Sequence, residues 1–182
     1  MNTLASPTAA TTPTRSSWPR RAARAVQRAN ALCARIPESL VAALARFSIA
    51  AVFWKSGQTK VQGFAIDLVQ GEFHLGWPHL SDSAVPLFRE EYRLPLLDPA
   101  VAAVLAASAE HLFPVLLLAG FATRLSAAAL LAMTLVIEVF VYPDAYPTHG
   151  TWAAVLLFLM MRGAGRFSVD HWLSARGGAW MR

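Results

Sequence analysis

Long apolar stretches constrain this 182-residue chain more than any other feature of its sequence. The stretches are 39–60, 99–121, 125–142 and 147–162. The first three reach the length of about 20 residues that a helix needs to cross the hydrocarbon core of a bilayer. The fourth is short and crosses only if Arg162 or Arg166 extends its charged group to the membrane surface. Only 15% of the residues are charged, against about a quarter in soluble domains, which disfavours a soluble bundle.

We therefore predict an all-α membrane protein: a four-transmembrane-helix bundle with an amphipathic outer loop and an N-terminal basic amphipathic helix. The predicted parts are a disordered tail at 1–17, the basic helix at 18–37, the transmembrane domain at 38–173 with its outer loop at 61–98, and a cytoplasmic tail at 174–182. Apolar residues interrupt the polar residues of the loop and prolines divide it, so we expect short interfacial helices over the outer mouth of the bundle.

The distribution of charge predicts the orientation. Residues 1–38 hold six arginines and one acid, whereas the loop 61–98 holds two arginines and six acids. By the positive-inside rule both termini lie in the cytoplasm, and the chain is a multi-pass protein of the bacterial inner (plasma) membrane. The basic helix suits an anionic membrane surface. Nucleic-acid binding is not expected, because no basic groove interleaved with aromatic residues is present.

Ionisable side chains within apolar spans are functional candidates, because charge is costly at membrane depth. The candidates for a quinone or proton pocket are Arg46, Lys55, Lys60, Glu110, Glu138 and His149, with His111 and Trp152 as a second tier. Counting about 1.5 Å per residue from the span ends places Arg46 level with Glu110 in the inner half. The same count places Lys55 level with Glu138 in the outer half. Opposite charges at each level predict two ion pairs.

Two interpretations of these charges stay open. They hold four helices in register as ion pairs, or they line an outward-opening pocket that holds a quinone head group or relays protons. Haem is not expected, because His111 and His149 lie at different depths. An iron–sulfur cluster is not expected, because Cys33 is the only cysteine. No metal site is predicted, since lone loop histidines are usually solvated.

Three motifs then occur in order: a first span ending FWKSGQTK, a second running AEHLFPVLLLAGFATRLSA, and a tail RGAGRFSVDHWL. Their order and spacing over about residues 40–173 resemble the DoxX family of small four-span membrane proteins. The residues that match the family's motifs are Arg46, Gly57, Lys60, Glu110, Gly120, Thr123, Arg124, Gly163, Gly165, Arg166, Ser168 and Asp170. The segments LFREEYRLPLLDP and FVYPDAYPTHGTW are similar to one bacterial branch, whose members are often found beside metal-stress or peptide-modification genes.

The resemblance implies quinol oxidase or thiosulfate:quinone chemistry, or a place in a membrane oxidoreductase complex. We expect a quinone-binding or accessory subunit of a membrane redox or metal/oxidative-stress system, with quinone as the cofactor. The alternative is a non-catalytic membrane scaffold or assembly protein that recruits partners through its outer loop. The expected partners are the lipid bilayer, a membrane or periplasmic protein, and a second copy of the chain. Whether the protein is itself an enzyme stays open.

Overall fold

The computed structural model of the protein describes residues 20–67 and 70–176. The chain divides into two compact units, Met1–Ile36 and Pro37–Arg182. In the first unit, helix α1 runs from Arg20 to Cys33, within the predicted basic helix. The predicted disordered tail at 1–17 lies outside the described residues, as does the end of the predicted cytoplasmic tail from residue 177 onward.

The second unit contains six further α-helices and one hairpin among the described residues. In chain order the elements are α2 (Glu38–Gln58), β1 (Val61–Asp67), β2 (Glu72–Leu80), α3 (Ala84–Leu87), a π-helical turn (Phe88–Tyr92), α4 (Pro99–Ala119), α5 (Thr123–Phe140), a 3-10 turn (Pro143–Ala145), α6 (Tyr146–Arg162) and α7 (Val169–Ala175). Among the described residues, α2, α4 and α5 are long and apolar enough to cross a membrane. Helix α6 has 17 residues, about 26 Å of helix.

The four long helices of this unit share one core and expose apolar surface elsewhere. The core residues are Ile49, Ala50, Phe53, Leu117, Ala127, Leu130, Leu156 and Leu159. On the outer face of the same helices, leucines such as Leu44, Leu112 and Leu135 are more than half exposed. A helix that is apolar on all sides belongs in the core of a large protein or in lipid. The exposed leucines therefore mark the face of the bundle that would contact lipid.

The first half of the outer loop corrects the sequence prediction. Residues 61–67 and 72–80 form an antiparallel β-hairpin, with Val61 opposite Leu80 and Asp67 opposite Glu72. The expectation of short helices here is wrong, and the unit is not all-α. The reason is local: Phe73, Leu75 and Trp77 recur at every second position, the period of a strand. The second half of the loop contains the short helix α3 and the π-helical turn.

The two ends of the bundle carry different segments. At the tail end, α2 and α5 begin and α4 and α6 end. The segment after α6 packs there, since Asp170 N–H donates to Gly120 O at 2.9 Å and Arg166 N–H to Ser39 Oγ at 3.1 Å. The opposite end, which carries β1, β2 and α3, is the hairpin end. At the hairpin end, Phe88 packs on Ala102 of α4.

Candidate functional site

A buried ion pair joins Lys60 and Glu110, where α2 ends beside the middle of α4. Lys60 Nζ lies 2.8 Å from Glu110 Oε2 and donates to Oε1 at 3.1 Å, and each side chain is 3% exposed. Ser56 Oγ donates to Glu110 Oε1 at 3.0 Å and accepts from Lys60 Nζ at 3.1 Å. Buried charges require such partners. Both carboxylate oxygens therefore lie within 3.1 Å of the Lys60 ammonium.

A glycine lets α2 approach α4 closely at this level. A Cβ on Gly57 would lie 2.8 Å from His111 Cε1 and 3.0 Å from Glu110 Cβ, closer than side-chain atoms pack. His111 is held beside it, because its Nδ1 lies 2.7 Å from Ala107 O and its Nε2 lies 2.8 Å from Gln58 Nε2. Nδ1 thus holds the ring of the second-tier candidate His111 against its own helix α4, and Nε2 joins it to Gln58 of α2.

An apolar cavity of about 290 Å³ adjoins the ion pair. Lys60 and Glu110 are its charged wall, and the remaining lining residues are aromatic or aliphatic. They are Phe88, Tyr92, Leu94, Leu97, Ala102, Leu105, Ala106, Ala109, Met133, Val136, Ile137 and Val141. The alanines on α4 have small side chains, which is why space remains there. The loop residues from Phe88 to Leu97 form one side of the cavity. The cavity therefore offers a charged pair at one wall and apolar contact around it.

A second polar pair joins α5 to α6 and lies apart from this cavity. His149 Nδ1 lies 2.6 Å from Glu138 Oε2, with the side chains 7% and 23% exposed respectively. The ring of Trp152 packs on His149 at a centroid distance of 4.9 Å. Ile137 lines the cavity, whereas Glu138 points to α6. Glu138, His149 and Trp152 therefore form a separate cluster.

The expected pair of Arg46 and Glu110 is wrong. Arg46 Nη1 donates to the carbonyls of Leu117 at 3.1 Å and Leu118 at 3.0 Å, and Nη2 donates to Phe167 O at 2.5 Å. The depth count failed because it treated the start of α2 and the end of α4 as lying at the same level. Helix α2 ends beside Glu110 instead, so its earlier residues, including Arg46, lie beside the last turn of α4.

The expected pair of Lys55 and Glu138 is also wrong. Lys55 is exposed, and Glu138 bonds His149 instead. Lys55 follows Arg46 by nine residues, a helical rotation of about 180°. Because Arg46 faces the bundle, Lys55 faces away from it. The spacing of nine residues already implied this rotation, but the prediction compared only the depths of the residues.

Sequence reasoning matched the tail motif to a family and assigned it no physical role. In the structure, Asp170 Oδ1 accepts from Ala122 N–H at 2.8 Å and Oδ2 accepts from Thr123 N–H at 3.0 Å. Asp170 therefore satisfies free amides where α5 begins. Gly120 adopts φ 65°, and a Cβ there would lie 2.5 Å from Arg46 Nη1. The tail, the α4–α5 turn and α2 thus meet through Asp170, Gly120 and Arg46.

Two tyrosines lie at the hairpin end, near the cavity. Tyr142 donates a hydrogen bond to Glu91, and its ring contacts that of Tyr92 at a centroid distance of 6.0 Å. The hydrogen bond to Glu91 raises the pKa of Tyr142 above its ordinary value, and burial raises the pKa of Tyr92. Tyr92 lines the cavity. The loop is therefore tied to the end of α5 at this side of the cavity, a contact that no sequence signal indicated.

Comparison with known proteins gives one match. Residues 41–143 match a family model described as DoxX. No curated protein and no solved structure matches the chain. The matched range contains Lys60, Glu110 and every other residue that lines the 290 Å³ cavity.

Proposed function

The chain belongs to the DoxX family of membrane proteins, and on that premise we propose that it is a quinone-binding or accessory subunit of a membrane redox or metal/oxidative-stress system. One observation carries the proposal: an apolar cavity of about 290 Å³ with the buried Lys60–Glu110 ion pair in its wall. Small-molecule sites are mostly apolar cavities, of about 300–1,000 Å³, with a few convergent polar groups. This cavity has that composition and lies near the lower limit of volume.

The lining residues fit an amphiphile with a polar head and an apolar body. Lys60 Nζ donates to Ser56 O, Ser56 Oγ and Glu110 Oε1, so a quinone carbonyl would replace one of these acceptors. The Glu110 carboxylate lines the cavity and is the acceptor suited to a hydroxyl proton. Leu105 and Val136 supply apolar contact nearby. A bound quinone supplies reversible two-electron, two-proton chemistry, and the role of this chain is to orient the head group and to accept or return one proton at Glu110.

The proposal includes four spans in the bacterial inner membrane, with both termini in the cytoplasm. Helix α6 is the proposed fourth span, since Leu156 and Leu159 are fully buried in the shared core. The preceding 3-10 turn adds length at the hairpin end. Arg124, Arg162 and Arg166 lie at the tail end, which the positive-inside rule places in the cytoplasm. The cavity then belongs to the half of the bundle nearer the outer surface.

The test is the quinone content of protein purified in native lipid discs. We expect close to one quinone per chain in the wild type after organic extraction. Glu110→Gln should lower this content severalfold, and so should Ala106→Phe, which fills the cavity and keeps both residues of the ion pair. Glu138→Gln is the matched control: it alters a partly buried carboxylate outside the cavity and should leave the content unchanged.

Two results would count against the quinone site. One is a wild-type quinone content equal to that of the surrounding lipid. The other is an equal loss in Glu110→Gln and Glu138→Gln, which would indicate a general effect on the bundle. Circular dichroism and gel filtration of each variant establish that it is folded before its quinone is counted.

A second candidate function, a non-catalytic scaffold or assembly protein, is favoured by the hairpin. Phe73, Leu75 and Trp77 on β2 are 59%, 78% and 89% exposed. A row of exposed apolar side chains marks a contact surface. The partner would be a membrane or periplasmic protein, or a second copy of the chain. This function predicts that Trp77→Ser abolishes partner capture, whereas the joint replacement Lys60→Met and Glu110→Leu, which removes the ion pair as a unit, leaves capture intact.

A further inference from the structure

A second cavity lies at the tail end of the bundle and is larger than the one beside the Lys60–Glu110 pair. Its volume is about 750 Å³. The starts of α2 and α5, the end of α6 and helix α7 surround it, through residues that include Ser39, Thr123, Gly163 and His171. It is open on one side and adjoins the helix ends, where the apolar spans give way to polar residues.

Three arginines line this cavity, and the two acids beside them are already engaged. Asp170 accepts the Ala122 and Thr123 amides. Glu38 Oε1 lies 3.4 Å from Arg162 Nε in an exposed pair. Arg124 and Arg166 have no ion-pair partner among the described residues. The Asp170 carboxylate keeps its charge when it accepts amide hydrogen bonds, so three arginines against two acids leave the cavity lining with a small excess of positive charge.

A buried hydroxyl lies behind the same wall. Thr123 lines the cavity and is fully buried, and its Oγ1 has no hydrogen-bond partner in the described part of the chain. This oxygen has almost no accessible surface, so it is not exposed to the cavity. Arginine guanidinium groups bind phosphate oxygens through two parallel hydrogen bonds. The arginines that line the cavity therefore suit a phosphate ester.

We propose that the tail-end cavity binds the phosphate of an anionic phospholipid headgroup. The lipid is the favoured source because Arg124 and Arg162 lie at the ends of helices that otherwise expose leucines to the bilayer, which is where lipid phosphates lie. Basic pockets between membrane helices on the cytoplasmic side bind such headgroups. A soluble phosphate shares the same chemistry and is distinguished from the lipid by experiment.

The test uses full-length protein, delipidated in neutral detergent and titrated with short-chain phosphatidylglycerol while bound species are counted by native mass spectrometry. Parallel titrations use phosphatidylcholine and inorganic phosphate. We expect phosphatidylglycerol to bind one per chain and more tightly than phosphatidylcholine. The joint replacement Arg124→Gln and Arg166→Gln should weaken it about tenfold or more, since it removes charge-assisted hydrogen bonds.

The matched control is the joint replacement Arg89→Gln and Arg93→Gln, which removes the same charge at the hairpin end and should leave the affinity unchanged. Tight binding of inorganic phosphate with the same arginine dependence, and no preference for phosphatidylglycerol, would support the phosphate site and assign it to a soluble ligand. If both joint variants lost the same affinity for phosphatidylglycerol, the effect would depend on net charge alone and the proposed site would be wrong. If the joint replacement of Arg124 and Arg166 left the wild-type affinity unchanged, the proposed site would be wrong as well.

Discussion

At the tail end of the bundle, Arg46 donates to three backbone carbonyls, whereas toward the hairpin end Lys60 and Glu110 bond each other and Ser56. Arg46 binds the backbone of α4 and of the segment before α7, so its charge is committed to the fold. The Lys60–Glu110 pair instead lines a cavity. Buried charge therefore stabilises the fold at Arg46, whereas at the Lys60–Glu110 pair it can also contact a ligand.

The largest effect is expected for Glu110→Leu, which leaves Lys60 buried without a counter-ion. Loss of one partner of a buried ion pair costs about 3–5 kcal/mol, whereas replacing both with apolar residues is often neutral. We therefore expect Glu110→Leu to lower the free energy of unfolding by about that amount, and Lys60→Met with Glu110→Leu to restore it. The measurement is unfolding in mixed detergent–SDS micelles, followed by circular dichroism.

The joint variant also separates the two roles of the pair. It should fold normally and lose the bound quinone, because the polar wall of the cavity is gone. If the joint variant stays as unstable as Glu110→Leu, the pair holds the fold and the contrast with Arg46 disappears.

A smaller loss is expected for Arg46→Met. Removing the guanidinium leaves the carbonyls of Leu118 and Phe167, whose bonds to Arg46 are partly buried, without this donor, at about 1 kcal/mol for each. Because Arg46 does not pair with Glu110, the effects of Arg46→Met and Glu110→Leu should add within about 0.5 kcal/mol. The same unfolding assay measures both. A coupling energy well above that value would indicate that Arg46 and Glu110 interact after all, as the sequence predicted.

The smallest effect is expected for Tyr142→Phe, which removes the bond to Glu91 at the exposed edge of the hairpin end. We expect a loss below about 1 kcal/mol at neutral pH. The folded state holds the Tyr142 proton more tightly than the unfolded chain does, where the pKa is about 10. This contribution is therefore complete below about pH 10 and is lost as the pH rises above it.

Unfolding titrations between neutral pH and pH 11 check this sign. The wild type should lose more stability over that interval than Tyr142→Phe does. Tyr92, whose pKa is also raised, stays in both proteins but interacts with Tyr142, so the difference between the two curves reports the tyrosine pair. Parallel pH curves for the two proteins would show that the tyrosine bond does not tie the loop to α5.

Some of the site could be predicted from the residues and some could not. Lys60 and Glu110 were both candidates, because ionisable groups beside apolar runs are rare and costly. Their partnership was missed, since it depends on α2 ending beside the middle of α4. The hairpin at 61–80 was missed although its strand alternation is visible in Phe73, Leu75 and Trp77. The bond between Tyr142 and Glu91 joins residues far apart in the chain, and no local pattern indicates it.

Local composition is sufficient to establish that α2, α4 and α5 suit a bilayer, because hydropathy and length belong to contiguous residues. It also identifies which side chains carry charge where charge is costly. Which charges meet is a property of packing. Helix α2 is offset by a few residues along α4, and the side chains of Arg46 and Lys60 are long. Arg46 therefore reaches the end of α4, and Lys60 reaches Glu110. Such offsets follow from close contacts between distant segments, such as Gly57 against His111, and no single segment encodes them.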